Sequence, residues 1–127
     1  MKAVSLCLLS IVLVFSLSTS VLGADKDAIQ ANVDGIVTAV NGGKAATEFN
    51  ANDYSPYAFI MKPDGILIVH PSLAGQSLKE KAGPVFEALI QSTPDGVWVD
   101  YEWKGAMKHS YVRTTKCGNI VGSGYSD

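Results

Sequence analysis

From residue 25 onward, apolar positions first recur at helical spacing. Ile29, Val33, Ile36, Val37 and Val40 are separated by 4, 3, 1 and 3 residues, which predicts an amphipathic helix over residues 25–40. Asp25 is suited to cap its start, and Asn41-Gly42-Gly43 stops it. A short helical piece over 44–49 and a polar loop over 50–55 follow. After Pro56 the pattern becomes that of strands. Residues 57–61 are apolar, Pro63-Asp64-Gly65 turns the chain, and residues 66–70 return, predicting a hairpin. Residues 71–76 form a loop. Residues 84–91 form a short helix, with Pro84 in its first turn and Val85, Phe86, Leu89 and Ile90 as its apolar face. Three strands joined by tight turns complete the chain: 97–103, 107–115 and 119–125.

Strands connected this tightly pair antiparallel. The predicted fold class is therefore α+β: a five-stranded antiparallel sheet with the long N-terminal helix on one face. The connection over 71–93 is long for so small a domain and arches over the other face, where a pocket is expected.

Residues 1–23 read differently. Met1-Lys2 is followed by an apolar run from Ala3 to Phe15 and a Ser/Thr-rich stretch ending Val21-Leu22-Gly23, which predicts a signal peptide cut before Ala24. Cys7 leaves with it. The remaining domain, 24–127, has no second apolar run of spanning length, and is expected to be soluble and periplasmic or secreted. It carries nine Lys/Arg against twelve Asp/Glu. The basic residues are scattered, which argues against nucleic acid as a partner. Cys117 then stands alone in a Cys-Gly turn, so packing rather than an internal disulfide must hold the fold.

Catalytic patterns are absent: there is no HExxH, CxxC, CxxCH or GxSxG. A turn position gives Cys117 no shielding as a nucleophile. Asp95, Asp100 and Glu102 lack the spacing of a cation loop. No enzyme activity, cofactor or metal is expected. What stands out is aromatic and basic residues on the last strands: Trp98, Tyr101, Trp103, Lys108, Tyr111 and Arg113. By alternation, Val97, Val99, Tyr101 and Trp103 share one face of their strand, and Trp98, Asp100 and Glu102 the other. On the next strand Lys108, Ser110 and Val112 lie opposite His109, Tyr111 and Arg113. Aromatic walls with one or two cations suit a small carboxylate, because excluding water strengthens charge-assisted hydrogen bonds.

Several segments resemble the single Cache family of extracytoplasmic sensor domains. Ser55-Pro56-Tyr57-Ala58-Phe59-Ile60, Pro63-Asp64-Gly65, and His70-Pro71 with Leu73 and Gly75 are similar to its opening hairpin. Gly96-Val97-Trp98-Val99-Asp100-Tyr101 with Trp103, Lys108-His109-Ser110-Tyr111-Val112, and Val121-Gly122-Ser123-Gly124-Tyr125 are similar to its last three strands. The resemblance implies a PAS-like fold with a pocket for a small metabolite, often a short carboxylate. By motif it implies Tyr57, His70, Trp98, Tyr101, Lys108 and Tyr111 as ligand-binding residues; Arg113 joins them by strand parity with Tyr111. The acidic-glycine segment of many members is missing from residues 79–84, which predicts a smaller lid. Members are usually parts of membrane receptors, so a soluble module is expected to act through a receptor or transporter partner. The alternative is a structural or interaction domain whose pocket has degenerated.

Overall fold

The computed structural model describes residues 25–127. The expected signal peptide and cleavage site, and Cys7, lie outside the described residues. Helix α1 spans Lys26–Asn41, and the Asp25 carboxylate accepts the Ala28 N–H at 3.0 Å as its N-cap. Its buried stripe is Ile29, Val33, Ile36 and Val37. Gly42 caps its C-terminus and Gly43 follows at φ +114°, a backbone that disfavours any side chain. The helical piece expected over 44–49 is a single 3₁₀ turn, Ala46–Glu48, and a second turn, Ala51–Asp53, follows.

Strand β1 (Ala58–Met61) and strand β2 (Leu67–Val69) form the expected hairpin, with Asp64 Oδ1 accepting the Ile66 N–H in the turn. Both strands are shorter than the apolar runs that announced them. Their register shifts between Ile60 and Met61, so Val69 joins one core and Leu67 the other. The 71–93 connection holds two helices where one was expected. Helix α2 is Leu78–Lys81, capped by Ser77 Oγ on the Glu80 N–H; helix α3 is Gly83–Leu89, with Pro84 in its first turn. A four-residue helix is too short to leave a periodic signature. Strands β3 (Val97–Trp103), β4 (Ala106–Thr114) and β5 (Ile120–Ser126) follow within one residue of the predicted positions.

The five strands form one antiparallel sheet in the order β2-β1-β5-β4-β3. The fold is thus α+β and PAS-like: the last strand enters the middle and joins the hairpin to the meander. Two cores result. Helix α1 covers one face, packing on Ala58, Ile60, Tyr111 and Val121. Helices α2 and α3 cover the other, packing on Phe59, Met61, Tyr101, Val112 and Ile120. No helix among the described residues is long and apolar enough to cross a membrane. Cys117 is exposed in the β4–β5 turn.

Candidate functional site

A cavity opens on the α2–α3 face of the sheet. Tyr57, Phe59, Tyr101, Trp103, His70 and Lys108 form its aromatic and polar wall, and Leu67, Leu78, Val85 and Leu89 its aliphatic one. Strand alternation assembles it. Tyr57 and Phe59 are two apart at β1, Tyr101 and Trp103 are two apart on β3, and Lys108 pairs directly with Tyr101 across β3–β4. Gly122 of β5 makes room for the Phe59 ring: a Cβ there would lie 2.4 Å from Phe59 Cζ and 2.9 Å from Val112 Cγ1. The empty space is about 250 Å³, counted out to its open mouth. Much of that is open solvent at the mouth, and the enclosed part has room for little more than a water-sized molecule.

Lys108 dominates the electrostatics. The residue is 4% exposed, and no carboxylate of the described residues lies within ion-pair distance of it. Its Nζ donates to Tyr57 Oη at 2.9 Å and sits 4.4 Å from the centroid of the same ring, with Phe59 and Trp103 at 5.7 and 5.8 Å. Aromatic faces offset only part of the lost hydration. Burial, and then the charge of Lys104, push the Lys108 ammonium down to about 8 from its usual 10.5.

His70 follows β2 and is held by its own loop. Its Nδ1 accepts the Ser72 and Leu73 N–H groups at 3.1 and 3.0 Å, so the neutral ring carries its proton on Nε2. Burial, then Lys108 and Lys104, push it down to about 4. Its ring meets Tyr57 edge-on at 5.3 Å and Trp103 at 6.1 Å. The Tyr101 hydroxyl is engaged by Ser110 Oγ at 2.8 Å inside the sheet; burial raises its phenol pKa further above the ordinary tyrosine range. Burial likewise raises the Tyr57 phenol, with the Trp103 indole offsetting part of the effect. The polar groups offered to the cavity are therefore an ammonium, an imidazole N–H and a neutral phenol. None is negative.

No family model matches this chain, and no curated protein does. The site rests on its own geometry.

Four of the seven sequence-derived site residues meet at this cavity: Tyr57, His70, Tyr101 and Lys108. The other three, Trp98, Tyr111 and Arg113, do not line it. They face α1, because residues one apart on a strand point to opposite faces; the motifs that grouped them cut across that alternation. Trp98 packs on Tyr111 and Tyr125, with centroids 5.6 and 6.2 Å apart. Arg113 donates to the Asp34 carboxylate of α1 at 3.0 Å and to the Pro94 carbonyl at 2.7 Å. The Tyr111 hydroxyl reaches the Asp95 carbonyl at 3.1 Å. Together they tie α1 to the turn before β3. A Cβ on Gly96 in that turn would lie 2.0 Å from the Tyr111 hydroxyl oxygen. Phe59 and Trp103 belong to the cavity wall although neither was among the seven, Trp103 having stood out only as part of the aromatic cluster. Their signal was in the sequence, two residues from Tyr57 and Tyr101.

Proposed function

We propose that this domain captures a small carboxylate, or an anion of similar size, in the cavity beneath α2 and α3, as an exported soluble module of the single Cache type working through a membrane receptor or transporter. The carrying observation is Lys108: a buried ammonium at a cavity wall, donating to the neutral Tyr57 hydroxyl and without a carboxylate partner among the described residues. An isolated buried charge is costly, and an incoming carboxylate supplies its missing partner. The His70 Nε2–H and the Tyr57 hydroxyl are the further donors, and the aromatic walls keep water out. The net charge of the domain is negative, so this is local complementarity and not a general attraction for anions.

A thermal-shift screen of residues 24–127 against formate, acetate, propionate, lactate, malonate and succinate tests this. Binding at a hundredfold excess over Kd stabilises by about 2.7 kcal/mol, a shift on the order of 10 °C for a domain this size. Lys108→Met abolishes the response. A panel without a single shift, in wild type and at every pH between 6 and 8, overturns the reading. The small volume of the cavity favours the second reading, a structural domain acting through a protein partner; it predicts that empty panel together with recovery of a partner by crosslinking.

A further inference from the structure

We propose that Lys108 is a reactive amine that condenses reversibly with small aldehydes and ketones to form an imine in the cavity. The proposal shares the cavity with the anion reading but does not depend on the charge of the ligand. Three observations carry it. Lys108 lines a cavity otherwise walled by aromatic and aliphatic side chains, and a carboxylate that would keep it charged is missing within 4 Å among the described residues. A second cation, Lys104, sits on the adjacent turn, its Nζ 5.8 Å from the Trp103 ring, and its charge acts on both Lys108 and His70. The Tyr57 hydroxyl contacts Nζ at 2.9 Å, where it can relay a proton. A desolvated lysine beside another cation is the arrangement that activates amines toward carbonyl carbons. The pKa near 8 agrees: at pH 7 it leaves about 300 times more neutral amine than a lysine at 10.5.

The step balances without an added redox partner. The Nζ lone pair attacks the carbonyl carbon and a C–N bond forms as the C=O π pair moves to oxygen. The excess proton on nitrogen passes through Tyr57 Oη to that oxygen, giving a neutral carbinolamine. The oxygen then takes a second proton from solvent, and the C–O bond breaks as the nitrogen lone pair closes the iminium. Water leaves, and the iminium returns its N–H proton to solvent to give the imine. A short 2-oxo acid entering from the open mouth is the substrate class, its carboxylate meeting the His70 Nε2–H at the cavity wall; this last assignment rests on the anion reading.

Reductive trapping separates the two ideas. The protein is incubated with propionaldehyde or pyruvate and limiting cyanoborohydride at pH 7, and the adducts are mapped by peptide mass spectrometry. Lys108 is expected to be labelled at least about tenfold faster than any exposed lysine, with a rate that rises with pH to a midpoint near 8. Lys104→Met, an exposed change that leaves the fold intact, moves that midpoint upward. Labelling of Lys108 no faster than of Lys79 or Lys116 overturns the proposal, whatever the carboxylate screen gives. Selective labelling by propionaldehyde that acetate does not slow upholds it, while counting against the anion site. Slowing by acetate supports both.

Discussion

Lys108 carries both readings, and its energetics distinguish a functional residue from a structural one. Its folded pKa lies below its unfolded value. The unfolded chain therefore binds more protons between pH 8 and 10.5, and stability rises with pH across that window. Below pH 8 the buried ammonium opposes folding. Lys108→Met fills nearly the same volume without the charge, so the ligand-free protein is expected to gain about 1–2 kcal/mol at pH 7. Denaturant unfolding at pH 7 checks this. A loss of similar size would mean that the Tyr57 contact and ring stacking hold the fold, and that Lys108 needs no functional explanation. Tyr101 is the contrasting case. Its hydroxyl is spent on Ser110 inside the sheet, so its contribution to the cavity is the ring.

At the scale of elements, the two faces of the sheet have separate tasks. The α1 face contains the tie from Asp34 through Arg113 to the Pro94 carbonyl, backed by Tyr111 against Asp95. The α2–α3 face contains the cavity. Arg113→Met is accordingly expected to cost about 1 kcal/mol or less, because Asp34 is half exposed and the pair is screened. It should leave the affinity for a carboxylate, and the trapping rate at Lys108, within about twofold. Parallel titration of Arg113→Met and Lys108→Met decides which face takes the ligand. Loss of binding in the Arg113 variant with an unchanged melting profile would move the site to the α1 side. Gly122 makes the dependence between elements concrete: a bare position on β5 lets Phe59 of β1 reach the cavity wall.

For the whole molecule, the two histidines couple stability to pH in opposite senses. His109 lies between two carboxylates, Nδ1 at 2.7 Å from Asp100 and Nε2 at 2.8 Å from Asp127. The hydrogen bonds to Asp100 and Asp127 raise its pKa, so its contribution is complete below pH 6.5 and is lost as the pH rises through the folded value. His70 is depressed to about 4, so its neutral form stabilises the fold above pH 6.5, and that contribution is lost as the pH falls toward 4. His70→Asn keeps an acceptor for the Ser72 and Leu73 N–H groups but does not titrate there. Its melting temperature should fall less than that of wild type between pH 6.5 and 4. Parallel curves for the two proteins would show that His70 is not buried neutral in solution.

The sequence by itself determined most of the local structure. The period of Ile29, Val33, Ile36 and Val37 specifies α1, the Pro-Asp-Gly turn specifies the hairpin, and alternation over residues 97–103 specifies β3. These are local properties, settled by side-chain period and turn chemistry within a few residues. Alternation also contained the division of the site, since Lys108 and Tyr111 differ by an odd number of positions; grouping by motif obscured it. Helix α2 was not legible, because one turn of helix has no period. That α1 and the 71–93 connection take opposite faces was expected from the element order; the tertiary structure alone decided that β5 enters between β1 and β4. It alone closed the aromatic wall around Lys108 with no carboxylate of the described residues within ion-pair distance. Burial and the absence of a counter-charge are sums over distant segments: Tyr57 and Lys108 are 51 residues apart, and only the folded chain brings that hydroxyl to that amine.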